Sequence, residues 1–144
     1  RICGEGDERG MIEQKIAEYD LEDNIILAGR TGDMDEEYKN AAVYVMTSEM
    51  EGLPMVLLEA KSHGLPIVSF DIMTGPSEIV HDGVNGFLTP SGDVLSMADR
   101  LMELLENAEL RCDFSRNAAI GLDEFDETEV LRKWEMLLAE ATNR

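Results

Sequence analysis

Basic residues are scarce. Twelve Lys and Arg face 31 Asp and Glu, a formal net charge of −19 over 144 residues. Nucleic-acid binding rests on cationic surface meeting phosphate, so this balance argues against a nucleic acid as a direct partner. It also argues against an anionic membrane surface held by this chain alone. No apolar run approaches the roughly 20 residues of a membrane span, and no lipidation or targeting signal is present. Cysteine is limited to Cys3 and Cys112. Two positions so far apart make no disulfide framework, and both read as small buried hydrophobes, in keeping with a reducing cytoplasm. What is there is ordinary for a globular chain, with 44% apolar and 30% charged residues. The length suffices for one domain with a core, not for two of full size. The opening Arg1-Ile2-Cys3-Gly4 reads as the end of a strand, so the chain is expected to be a piece of a longer one.

Apolar, β-branched runs alternate with amphipathic ones, the pattern of an α/β fold with a parallel sheet. Strands are predicted over 1–3, 24–27, 42–46, 67–70 and 86–88. Helices are predicted over 8–19, 33–40, 54–63, 94–106, 109–122 and 127–141, with a helical turn over 77–81. Pro54 suits a first helical position, while Gly64 and Pro66 end that helix. No repeat or linker interrupts the chain, so one domain of about five parallel strands covered by helices is expected. The nine methionines fall at helical spacing and read mostly as core, and Trp134 reads as a packing anchor in the last helix.

In such sheets ligands sit beyond the carboxyl ends of the strands, here at loops 4–7, 29–33, 47–53 and 71–76. The third loop and the helix after it are the most informative. Glu51 lies in the loop and Glu59 in the second turn of the helix. Helical side chains lean toward the N-terminus, which aims Glu59 back at the Glu51 loop. Gly52 permits close approach to the backbone. The first-turn amides around Met55 and Val56 offer donors to an anion. Amides for phosphate oxygens and carboxylates for hydroxyls suit a sugar linked to phosphate. Equally, Glu59 could cap backbone amides or pair with a neighbouring cation. Paired carboxylates also serve hydrolases, but glycosidases need them flanking one sugar at set distances.

Glu51 and Glu59 enclose seven residues within the frame Ser-x-x-Glu-Gly-x-x-x-Val-x-x-Glu-Ala-x-x-x-Gly-x-Pro-Ile-Val, which runs from Ser48 to Val68. This resembles the paired-glutamate signature of the retaining family-four glycosyltransferases of the GT-B fold. Ile2-Cys3-Gly4-Glu5-Gly6 is similar to that family's strand ending in Gly-x-Gly, and 25–29 to its strand entering a glycine loop. Gly75-Pro76-Ser77-Glu78-Ile79-Val80 and Asp82-Gly83-Val84-Asn85-Gly86-Phe87-Leu88 are similar to its later loop and strand.

The resemblance implies a Rossmann-like parallel sheet flanked by helices, the C-terminal half of a GT-B enzyme. Residues 1–144 would form the donor domain without its first strand and without the N-terminal acceptor domain. It implies that Glu51 lies by the donor sugar and diphosphate as the catalytic glutamate. Glu59 would accept from the ribose hydroxyls. Gly52, Leu53, Pro54, Met55 and Val56 would meet sugar and phosphate through their backbone. Gly4 and Gly6 would belong to the donor-binding loop, and Arg30 would contact the base. The family's upstream Arg and Lys for the diphosphate have no counterpart, leaving Arg1, Arg30 and Lys61 as cations along the expected rim.

The implied reaction is retaining transfer of a hexosyl or N-acetylhexosaminyl group from a UDP-sugar to a glycan or lipid-linked acceptor, without metal or other cofactor. It would take place in the cytoplasm, with any membrane association carried by the absent domain. The alternatives are another GT-B enzyme, such as a sucrose- or trehalose-type synthase or a phosphorylase, and a non-catalytic α/β interaction domain. Asp33-Met34-Asp35 spells a metal-like Asp-x-Asp, but at a helix start it reads as a cap.

Overall fold

Ile67-Val68-Ser69-Phe70 carries no charge, and it becomes the middle strand of a sheet covered on both faces, as unbroken apolar strands require. A computed structural model describes residues 1–142. They group into two compact units, Arg1–Glu37 and the chain from Tyr38 on.

The first unit holds β1 (Ile2–Cys3), α1 (Arg9–Glu18) and β2 (Leu27–Gly29), followed by α2 (Met34–Lys39), within which the boundary falls. β1 and β2 pair in parallel, with Ile2 opposite Leu27 and Cys3 opposite Gly29. β2 starts three residues later than predicted. The amides of Asn24 and Ile25 both donate to the Leu21 carbonyl, which commits them to a turn rather than a ladder.

The second unit runs β3 (Tyr44–Met46), α3 (Met55–Ser62), β4 (Ile67–Asp71), α4 (Pro76–Ile79), β5 (Gly86–Pro90), α5 (Val94–Glu106), α6 (Ala108–Arg116), a 3-10 turn (Leu122–Phe125) and α7 (Glu127–Thr142). Its sheet has the order β3-β4-β5, all parallel, with Tyr44 opposite Ile67 and Val68 opposite Phe87. The five parallel strands therefore form two sheets, one in each unit.

β4 divides the core. Ile67 joins Leu57, Leu58 and Ala60 of α3 on one side, together with Ile79 and Val80. Val68 and Phe70 join Met97, Leu104 and Phe114 of α5 and α6 on the other. Leu57, Ile67, Ile79 and Leu104 are fully buried, each contributing about 1.5–3 kcal/mol relative to exposure. Asp93 starts α5 by accepting from the Ser96 amide, and Asn107 starts α6 by accepting from the Leu110 amide.

Several expectations give way. α6 ends at Arg116 rather than 122, and the chain turns through Gly121 (φ 82°) into the 3-10 turn. Cys3 is half-buried and Cys112 exposed, because Phe114 takes the buried face of α6. Only Met46 and Met97 of the nine methionines are buried. Trp134 is 58% exposed on a helix with no buried residue. Among the described residues, no helix is long and apolar enough to cross a membrane.

Candidate functional site

At the carboxyl end of β3 the chain leaves through residues 47–54 and enters α3. Pro54 is buried, with φ −74° and ψ 93°, and no side chain caps the helix. Its carbonyl takes the first helical bond, from the Leu57 amide at 2.9 Å. Met55 and Val56, 56% and 36% exposed, thus open the helix with an uncapped first turn facing solvent. Such a turn carries the positive end of the helix dipole.

The Glu51–Pro54 loop is pinned from the next strand's exit. Thr74 donates its hydroxyl to the Glu51 carbonyl at 2.6 Å. Gly75 sits at φ 98°, and a Cβ there would overlap Pro54 Cδ and lie 2.9 Å from the Gly52 carbonyl oxygen. Only glycine permits this approach. Glu78 closes the turn by accepting from the Gly75 amide at 3.2 Å. On its other side Gly52 faces open space, Leu53 is exposed and Glu51 is partly buried.

Glu59 points out of α3 and is exposed. Its Oε2 accepts from the Tyr38 hydroxyl at 2.8 Å, so the partner of this carboxylate is a neutral phenol rather than a cation. Tyr38 is itself 3% exposed, its ring 5.0 Å from the His63 ring and 5.9 Å from that of Tyr44. Glu49 is exposed in the loop.

Lys61 is not a rim cation. It is 2% exposed and donates to the carbonyls of Ile79 at 2.6 Å and Ile120 at 2.8 Å. Burial pushes its ammonium below the ordinary lysine value, partly offset by Glu124. It ties α3 to the end of α4 and to the turn after α6. Arg1 is committed as well: its guanidinium forks onto both Glu37 oxygens at 2.7 Å.

The first unit carries the remaining predicted residues. Gly4 has φ 137° and donates its amide to the Gly29 carbonyl, while Gly6 faces open space and Arg30 is exposed. Asp33 caps α2 by accepting from the Glu36 amide at 3.0 Å, the structural role expected for the Asp-x-Asp.

These elements have close counterparts. The family profile described as "Glycosyl transferases group 1" matches residues 1–120. The chain belongs to this family. An exopolysaccharide phosphotransferase of Streptomyces coelicolor is 34% identical over 145 residues, covering all of this chain and 15% of that protein. The amylovoran biosynthesis glycosyltransferase AmsD of Erwinia amylovora is 34% identical over 95% of this chain and 38% of its own length. A poly(ribitol-phosphate) α-N-acetylglucosaminyltransferase of Staphylococcus aureus is 34% identical over 92% of this chain and 27% of its own. The crystal structure of Anabaena Alr3699/HepE in complex with UDP superimposes with a TM-score of 0.85 at 26% identity, over 96% of this chain and 40% of that one. The chain thus spans between 15% and 38% of these three relatives. Its α/β architecture, parallel sheets flanked by helices, is that of the GT-B glycosyltransferases.

Two residues that contact the predicted glutamates escaped the sequence pattern. Tyr38 and Thr74 carry no motif, and their contacts cross 21 and 23 residues. The place of Lys61 did have a signal: it lies four residues after Leu57 and three after Leu58, on their face of the helix.

Proposed function

We propose that this chain is the donor-binding part of a retaining glycosyltransferase that takes a hexosyl or N-acetylhexosaminyl group from a UDP-sugar. The observation that carries this reading is the uncapped start of α3 behind the pinned Glu51–Pro54 loop, with the Glu59 carboxylate exposed one turn further on. The UDP held by a structural relative supports the choice of nucleotide.

In this reading the Met55 and Val56 amides and the helix dipole take the diphosphate charge. Gly52 and Leu53 meet the sugar through their backbone, with Glu51 beside it. Glu59 accepts from the ribose hydroxyls, with Tyr38 fixing its second oxygen. In the first unit, the family resemblance assigns Gly4 and Gly6 to a donor-binding loop and Arg30 to the base. The acceptor hydroxyl attacks the anomeric carbon on the face from which the diphosphate departs. The bond from carbon to acceptor oxygen forms, the bond to phosphate oxygen breaks, and the acceptor proton passes to the leaving phosphate. The protein positions the partners and stabilises developing charge, so neither glutamate needs to be a nucleophile. No metal enters this scheme. The acceptor, a glycan or lipid-linked saccharide, is held by an N-terminal domain outside these residues, and the reaction is cytoplasmic.

Calorimetric titration with UDP tests the assignment. Weak binding by the chain is expected, with no sugar transfer by the chain alone. Glu59→Ala should lose about tenfold or more in affinity, as expected where ribose hydroxyls lose a charged acceptor, while Glu49→Ala stays near the parent. Equal losses at both positions would overturn the reading.

A further inference from the structure

The second unit has an open groove of about 690 Å³ at the opposite ends of the same strands. It lies where the chain enters β3 and β4, beside the last turn of α6, whereas the Glu51–Pro54 loop leaves the carboxyl end of β3. Its lining inverts the composition of the chain. Lys39, His63, Arg111 and Arg116 line it, and no Asp or Glu does, in a sequence with 31 acidic and 12 basic residues.

The two arginines are held in place. Arg111 fixes one guanidinium nitrogen on the carbonyls of Leu104 and Leu105, at 2.6 and 2.7 Å. Its Nε and Nη2 have no hydrogen bond among the described residues, so the fork is oriented with donors to spare. Arg116 is anchored at one edge by Asp113 and by the Cys112 carbonyl. The His63 ring rests against Tyr38. Oriented guanidinium forks match the oxygens of phosphates and carboxylates. The half-buried His63 ring and the exposed Ala41 and Ala42 beside them suit the C–H faces of sugars. An open groove suits a strand passing through rather than an enclosed small molecule.

We propose that this groove binds an anionic carbohydrate strand, engaging its phosphodiester or uronate groups with Lys39, Arg111 and Arg116. It rests on the reading of the chain as part of a glycan-building enzyme, and it places a second carbohydrate contact at the strand ends opposite the nucleotide. The net charge of −19 opposes such a polymer over the chain as a whole, so contact rests on these few cations and weakens as salt is raised.

The test is a heteronuclear NMR titration of the full chain with a short poly(glycerol-phosphate), an oligogalacturonate and a neutral dextran oligomer, with UDP titrated separately. Either or both anionic oligomers should produce saturable shifts at Lys39, Gly64, Ser115 and Arg116, and these should weaken as salt is raised; dextran should produce none. The double variant Lys39→Glu, Arg116→Glu should weaken binding about tenfold, as the loss of two charge-assisted contacts implies. Lys39→Gln with Arg116→Gln serves if the reversal disturbs folding. Arg132→Glu on α7 should leave it unchanged, as should all three variants the binding of UDP. No shift with either anionic oligomer, an equal loss with Arg132→Glu, or binding only to phosphatidylglycerol vesicles would overturn the proposal. UDP binding without oligomer binding rejects the groove alone, and the converse rejects the donor-site reading.

Discussion

Replacing Lys61 with Met keeps the aliphatic stem and removes the ammonium. The carbonyls of Ile79 and Ile120 then lose their donor in a place that is 2% exposed. Hydrogen bonds from a charged donor contribute about 1.5–3 kcal/mol each, and releasing a buried ammonium from its desolvation returns part of that sum. The expected net loss is about 3 kcal/mol, or roughly 6–12 °C in Tm for a chain of this size. Thermal and denaturant unfolding followed by circular dichroism measure it. The pH dependence gives a second handle. The folded-state value is depressed below 10.5, so over the window just under 10.5 the unfolded chain binds the proton that the folded chain has released. Stability due to this group therefore rises with pH across that window. The gap between parent and Lys61→Met should widen as pH approaches 10.5. A variant melting within about 2 °C of the parent, or a gap independent of pH, would refute the view of Lys61 as a buried tie between α3, α4 and the turn after α6.

Gly75→Ala places a methyl against Pro54 and the Gly52 carbonyl at φ 98°. The expected cost is about 2–4 kcal/mol, read by denaturant unfolding, with UDP affinity falling because the Glu51–Pro54 loop must move. Tyr38→Phe removes only the phenol oxygen on Glu59. It should cost about 1 kcal/mol and reduce UDP affinity less than Glu59→Ala does, by calorimetry. Glu37 is held below the ordinary 4.5 first by its hydrogen bonds from Arg1. The stability this pair supplies is present above 4.5 and is lost as pH falls through the depressed value. Side-chain NMR should show Glu37 titrating at a higher pH in Arg1→Ala than in the parent.

The elements fixed by local chemistry were legible in the sequence. α3 begins behind Pro54 and ends at Gly64, which takes φ 76°, because proline and glycine restrict or release the backbone wherever they stand. α5 matches its predicted span, started by Asp93. The buried middle strand followed from its uncharged run. β2 shifted because the turn after α1 claims two amides through a contact that no strand pattern encodes. α6 was overextended because its residues remain apolar enough to continue, while the chain instead turns to deliver the Ile120 carbonyl to Lys61.

The sequence by itself determined the alternation of strands and helices, the membership in the glycosyl transferases group 1 and the frame that holds Glu51 and Glu59, since these rest on residue type and spacing. Only the tertiary structure decided what each charge does. It buried Lys61, committed Arg1 to Glu37, set Tyr38 on Glu59 and gathered Lys39, Arg111 and Arg116 along one groove. The role of a side chain's charge depends on which carbonyls, rings and carboxylates the fold brings within about 3 Å of it, and those neighbours lie tens of residues away along the chain.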